Sequence, residues 1–472
     1  MVTDRPTVQG PTSLARLYGS RTMLVLAVLG LSGGIPNLLA TSIAPAWTTI
    51  SGWGVEAIGL LAFLQLPYAL KFLWAPLVDR VRLPFAARLG QRRSWILVTQ
   101  AGAIVAILAV AAWGPGDAAS FGDAASFGAA AAATAATAAT AAATAAAAAT
   151  AATAATESSH EMVFMGLLAL LVFLSATQDI VADAYRTESL TPSEFGAGAG
   201  VFVSGYRVAF VALGATVLVL ASKISWPVAV SLLAVVAGYA MICTLAGGEP
   251  ANRAPPVPGI RAALLEPFVL LERRWRWRLL ALVAFVLVFR LPDQMGNAMT
   301  TPLILNGLGY SPEQLGWVRQ AFGFMLTIFG ALAGGWMVAR IGLLKCLIAF
   351  GILQAASNAG FLVLADAFAA TTAHAAASPA PISALIGVIA IENFSGGLVS
   401  AGFVAFLMSV CDRTQVAMQY ALLTALMALG GAIAGGMSGY LAAHFDYPAF
   451  FLLTILVGIP GIALIAGVRS PK

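Results

Sequence analysis

The chain has 472 residues, 60% of them hydrophobic and only 10% charged, with a mean hydropathy of +0.90, whereas soluble domains carry about 25% charged residues. This excludes a water-soluble protein. The apolar runs, each about 20 residues long and so able to cross about 30 Å of hydrocarbon as helix, make it an all-α integral membrane protein. The net charge of +5 does not indicate nucleic acid, because the basic residues are spread between hydrophobic runs rather than gathered in one patch.

Apolar length punctuated by Gly, Pro and charge predicts twelve helices, at 21–45, 56–80, 93–114, 161–187, 196–221, 226–246, 279–305, 312–339, 343–368, 382–410, 415–441 and 447–468. Residues 1–20 form a tail before them. The first helix is longer than a signal-peptide core and lacks a small-residue cleavage site, so it is read as retained. After the third helix, residues 115–160 hold two tandem DAASFG hexamers and an unbroken Ala/Thr tract, Ala129 to Thr156. A span there would invert every later loop, so it reads as a low-complexity outer-loop insertion, partly helical because Ala favours helix.

The loop at 247–278 starts Pro-rich (EPANRAPPVPG) and becomes basic and aromatic (LLERRWRWRLL). Its second part reads as an interfacial helix, with Trp275 and Trp277 at headgroup level and arginines facing anionic membrane lipid. It divides the chain into six-helix bundles at 21–246 and 279–468. With both termini cytoplasmic, only Lys223 of the 25 Lys and Arg residues falls in an outer loop, and Lys71, Arg207, Arg290 and Arg319 fall within helices. The rest lie in cytoplasmic segments, as the positive-inside rule requires.

The two bundles echo each other. GGIPNLLATSIAP in the first helix matches FRLPDQMGNAMTTP in the seventh, and TQDIVADAYRTESL in the fourth matches IENFSGGLVSAGF in the tenth. Parallel repeats of six helices are a transporter arrangement, with substrate near the midplane between the repeats.

Charge inside a bilayer costs about 2.5 to 3.5 kcal/mol on insertion scales, so it is normally turned inward and used. Asp179 and Asp183 are four residues apart and share a helical face. Two carboxylates in a low dielectric do not both ionise cheaply unless a cation compensates, so the pair is a candidate proton carrier. The other reading is a buried ion pair with Lys71 or Arg207 that fixes helix packing. Arg186 and Glu188, nearer the surface, read as interfacial anchors. In the second bundle Arg290 and Asp293 form either a local pair or part of a site. Glu392, beside Asn393, has no partner at local spacing and is the sharper candidate for protonation. Arg319 lies where it can snorkel.

Glycine-rich strings (GAGAG, GALAGG, GGAIAGG) suit close helix packing. Gly33, Gly34 and Pro36 differ in adjoining Asn37, where a kinked helix exposes backbone to a cavity. Cys243, Cys346 and Cys411 are scattered and imply no disulfide, metal or other cofactor. His160, His374 and His444 fall in predicted outer loops, and no HExxH or phosphate-loop motif occurs, so an enzyme has little support. Nothing implies an oligomer.

KFLWAPLVDRVRLPFAARLGQRRSW, between the second and third helices, resembles an expanded Asp-Arg…Gly-Arg-Arg loop of the major facilitator superfamily. SGGIP, KFLWAPLVDR, RRSWILVTQ, SATQDIVADAYRTE, FGILQAASNAGF and ENFSGGLVSAGFVAFLMSVC, in this order, resemble the AmpG-type anhydromuropeptide permeases. The resemblance implies a major facilitator fold and a proton-coupled importer in the bacterial inner membrane. Its substrate would be GlcNAc-1,6-anhydroMurNAc, with or without peptide, taken up for peptidoglycan recycling and linked to β-lactamase induction. It implies a cytoplasmic gate at Asp79, Arg92 and Arg93, and family site residues at Gly33, Gln178 and Asp179. Helices one, four, seven and ten are expected to line the cavity. Proton-coupling candidates are Asp179, Asp183, Glu392 and Asp293; substrate-binding candidates are Gly33, Asn37, Lys71, Gln178, Arg207, Arg290 and Asn393. A more distant resemblance to acetyl-CoA transporters leaves another large anionic solute open. A non-transporting sensor or a membrane-embedded enzyme of wall fragments is the alternative from another class.

Overall fold

The computed structural model describes residues 17–53, 61–83, 86–115, 139–250, 260–304, 308, 310, 318, 322–372, 382–412, 416–465 and 467–468, and no strand occurs among them. Arg319, His374 and residues 116–138 of the insertion lie outside them. Ten described helices are long and apolar enough to cross a membrane. The N-terminal set is α1 (Arg21–Ile50), the short α2 (Leu66–Leu70) and α3 (Ala75–Arg80), α4 (Gln91–Trp113), α5 (Ala139–Ser189), α6 (Phe195–Lys223) and α7 (Trp226–Ala246). After α8 (Ile260–Trp275), the C-terminal set is α9 (Leu279–Val288), α10 (Leu291–Pro302), α11 (Phe324–Ile341), α12 (Leu343–Thr372), α13 (Ile382–Val410), α14 (Val416–His444) and α15 (Tyr447–Leu464). Helix runs from Ala139 without interruption into the apolar part of α5, so His160 lies on a helix, and His444 ends another.

Three predicted helices are interrupted near proline, and α6 carries a π-turn at Ala209–Leu213 without one. Pro36 removes a backbone donor inside α1, and a π-turn follows at Leu39–Ile43. The second predicted helix is α2 and α3, each with Pro near its start, joined by a 3₁₀ turn at Lys71–Leu73. The seventh divides between Val288 and Leu291, placing Asp293 in the first turn of α10, where the helix dipole favours a carboxylate.

One end of the bundle carries Arg92, Arg186, Arg274 and Arg340; we call it the basic end. There a single apolar core joins both sets, with Ile180, Tyr185 and Phe202 from the first and Val338, Phe406 and Met418 from the second. Towards the opposite end the core splits in two. Ile35, Trp47, Ile107 and Phe164 belong to an N-terminal core, and Leu303, Phe361, Ile389 and Phe450 to a C-terminal one.

α6 packs directly on α11 across the two sets, and the contact needs glycine on both sides. A Cβ on Gly196 would stand 2.7 Å from the Cβ of Val338 and 2.8 Å from the carbonyl oxygen of Gly335, and one on Gly200 would meet the Ala331 carbonyl. GAGAG and GALAGG therefore pack against each other. Tyr18, just before α1, adds a hydrogen bond from its hydroxyl to Leu332 O of α11 at 2.6 Å.

Candidate functional site

A cavity of about 450 Å³ opens on the C-terminal set, a size suited to a small-molecule site. Its walls are Arg290, Asp293, Gln294 and Asn297 of α10, Phe324 and Thr327 of α11, and Glu392, Asn393, Gly396 and Ser400 of α13, with Arg207 entering from α6. The seventh and tenth predicted helices do line it. The remaining walls of this cavity come from α6 and α11.

The walls hold two guanidinium and two carboxylate groups. Arg290 Nη2 donates to Asp293 Oδ2 at 2.5 Å, the expected local pair. Asn297 Nδ2 donates to the other oxygen, Asp293 Oδ1, at 3.0 Å. Asn393 Nδ2 donates to Glu392 Oε2 at 2.8 Å, while Thr327 Oγ1 donates to Asn393 Oδ1 at 3.1 Å. Arg207 differs: it makes no ion pair among the described residues, and its guanidinium lies 5.7 Å from the centre of the Phe324 ring. An anion entering this cavity meets Arg207 free to bind it.

A second polar cluster lies in the N-terminal set. Lys71, released by the 3₁₀ turn from a regular helix, pairs with Asp179 and stands 3.4 Å from Asp183 Oδ2. Arg186 Nη2 pairs with Asp183 Oδ1 at 2.8 Å. Two cations thus balance two carboxylates, and the ion-pair reading of Asp179 and Asp183 describes this state. Asp179 is the accessible member, with 27% of its side chain exposed against 6% for Asp183. Beside it, Tyr68 and Ser175 share a hydroxyl hydrogen bond of 2.7 Å. Asn37 donates to Tyr206 Oη and accepts from Gln65 Nε2 at 3.1 Å. A Cβ on Gly33 would meet nothing within 4 Å, so that face of α1 adjoins open space.

Gln178 is turned elsewhere. It is buried, and its Nε2 donates to Ser32 Oγ at 3.1 Å, within the contact of α1, α4 and α5 that Gln100 also joins.

At the basic end Arg92 bridges Asp79 Oδ1 at 2.6 Å and both oxygens of Glu188, at 2.6 and 3.0 Å. Arg93 does not join Asp79. It donates from Nη2 to Leu245 O at 2.5 Å. The backbone N–H groups of Arg92 and Arg93 donate to Glu249 at 2.8 and 3.1 Å, so a carboxylate caps the N-terminus of α4. Gly90, at φ +85°, makes room for that carboxylate.

Arg186 corrects the sequence expectation most clearly. It is 1% exposed rather than anchored at an interface, it covers the Phe202 ring at 4.4 Å, and it donates to Tyr420 Oη of α14 at 2.6 Å. Glu188 is likewise buried, in its pair with Arg92. The i, i+3 spacing of Asp183 and Arg186 signalled their pairing, whereas Tyr420 has no local signature. Trp275 is buried in the shared core, and Trp277 is exposed.

A family model described as acetyl-coenzyme A transporter 1 matches residues 22–223. The anhydromuropeptide permease of Escherichia coli (strain K12) is 30% identical over 458 residues, covering 96% of this chain and 81% of the relative. Putative transporter AmpG 4 of Rickettsia felis is 24% identical, over 96% of this chain and 97% of the relative. Two solved structures share the fold. The human organic anion transporter MFSD10 superposes with a TM-score of 0.64 at 14% identity, covering 94% of this chain and 99% of that one. The major facilitator proton:xylose symporter XylE superposes at 0.60 with 11% identity, covering 96% of each.

Proposed function

The chain belongs to the anhydromuropeptide permease (AmpG) family of major facilitator transporters, and on that premise we propose that it imports anhydromuropeptides into the bacterial cytoplasm, driven by protons. The observation that carries the reading is Arg207, a guanidinium from the N-terminal set that makes no ion pair among the described residues and faces a polar cavity in the C-terminal set. A substrate carboxylate bound there contacts both sets at once. Asn393, Asn297 and Ser400 offer neutral hydrogen-bonding groups for sugar hydroxyls and amides.

Charge balance supports proton coupling. Lys71, Asp179, Asp183 and Arg186 sum to zero, so a proton taken up by either carboxylate leaves a buried positive charge, which is costly alone. An anionic substrate nearby lowers that cost, and proton and anion then travel together. Asp293 and Glu392 are the corresponding carboxylates of the other set. The distribution of Lys and Arg supports an inner-membrane protein with its basic end in the cytoplasm. On this reading residues 21–246 and 279–468 rock against each other around the site.

The test is uptake of labelled GlcNAc-anhydroMurNAc-peptide into proteoliposomes under an imposed proton gradient, with acetyl-CoA as competitor. Unchanged substrate should accumulate inside and be lost on adding an uncoupler. The match of residues 22–223 to the acetyl-CoA transporter model favours a second reading, which strong competition by acetyl-CoA would select. Chemically altered substrate would identify an enzyme, and absence of uptake a sensor.

A further inference from the structure

Arg186 is a buried cation that reaches across the boundary between the two sets. Its Nη2 donates both to Asp183 Oδ1, on its own helix, and to Tyr420 Oη, across the boundary between the sets. Its plane lies against Phe202, and its buried Nε has no hydrogen-bond partner among the described residues. Asp183 in turn faces Lys71, which pairs with the more exposed Asp179. An unbroken chain of contacts therefore runs from Asp179 through Lys71, Asp183 and Arg186 to Tyr420.

We propose that Arg186 and Tyr420 form a latch whose closure is set by the charge on Asp183. The proposal deepens the proton-coupled reading above and rests on it for the source of the charge change. The titratable groups facing Asp183 are Lys71, Asp179, Arg186, the Tyr420 hydroxyl and the Cys411 thiol. While Asp183 is ionised, it fixes Arg186 with one N–H aimed at Tyr420, and the basic end stays shut. Neutralising the carboxylate leaves a buried guanidinium with only a phenol oxygen and a ring face. That environment compensates it poorly, and separation of the sets, which admits water to it, becomes favourable. Arg186 and Tyr420 act as positioning residues: neither lines the cavity, yet both govern which side opens.

The latch is tested on the full chain in lipid nanodiscs at fixed pH, without substrate. Spin labels are placed on the exposed residues Arg88 and Lys345, near the basic ends of the two sets, with the three native cysteines replaced by alanine. Asp183→Asn and Tyr420→Phe should each raise the population of the longer distance about tenfold, as expected for losing a hydrogen bond to a charged group. The double variant should move no further than the stronger single one, because both act through one contact. Melting temperature is measured alongside. An unchanged distance distribution in Tyr420→Phe, with or without lower melting temperature, overturns the latch, as do additive effects of the two substitutions. No substrate or proton gradient enters this measurement, so its failure and a failure of muropeptide uptake are read separately.

Discussion

Glu188 holds Arg92 with both carboxylate oxygens, at 2.6 and 3.0 Å, tying the end of α5 to the start of α4. Arg92 also reaches Asp79, so helices from three stretches of chain meet on one guanidinium. Glu188→Ala leaves Arg92 with Asp79 as its remaining ion-pair partner, and the lost hydrogen bonds to a charged group should destabilise the protein by about 2 kcal/mol. Thermal unfolding in detergent checks it. Arg92→Lys, which keeps charge but not the two-pronged geometry, should lower stability less. An unaltered melting temperature in Glu188→Ala would show the pair to be dispensable.

Arg207→Gln should raise the KM for muropeptide uptake about tenfold or more, the scale of a lost hydrogen bond to a charged group. Because Arg207 makes no ion pair among the described residues, the melting temperature should hold. Unaltered KM would mean that the anionic group binds elsewhere.

Asp179→Asn fixes the exposed carboxylate in its neutral form. Uptake should then persist only as downhill exchange, insensitive to uncouplers. If this variant still accumulates substrate and still responds to an uncoupler, Asp179 is not where the proton couples.

Gly196→Val puts a side chain where Val338 and Gly335 already stand. The α6–α11 contact must part, and the labels on Arg88 and Lys345 should report a longer mean distance. A distribution matching wild type would show that the helices can slide to accept the added volume.

Cys411, just past α13, is 7% exposed, and its thiol donates to Leu407 O at 3.2 Å. Burial raises its pKa, with Asp183 and Asp412 adding to the effect. Less thiolate is present at any given pH, so maleimide labelling should be slow near neutrality and rise about tenfold per pH unit. Tyr420→Phe should speed it by opening the basic end. Labelling as fast as that of an exposed thiol in the wild type would contradict this burial.

The helical membrane fold was legible because apolar run length follows directly from bilayer thickness. The intramembrane charges were legible for a related reason: Lys71, Asp179 and Asp183 cannot face lipid, and they found one another. Position around a helix axis was harder to read. Gln178 and Asp179 are neighbours in sequence but about 100° apart on the helix, so one enters a helix contact and the other faces open space. Loop counting gave the depth of Arg186 but not its orientation, and depth alone suggested an anchor. Tyr420 and Phe324 matter through contacts across the two sets, which no local spacing encodes.

The segment joining the two sets is pinned at both ends. Glu249 is bound to the start of α4, and Arg274 Nη1 donates to Val410 O at 2.9 Å, with Trp275 buried beside it. On the rocking motion proposed above, each set would therefore carry its own end of the joining segment, and the covalent length of chain between Glu249 and Arg274 bounds how far those two anchors can separate.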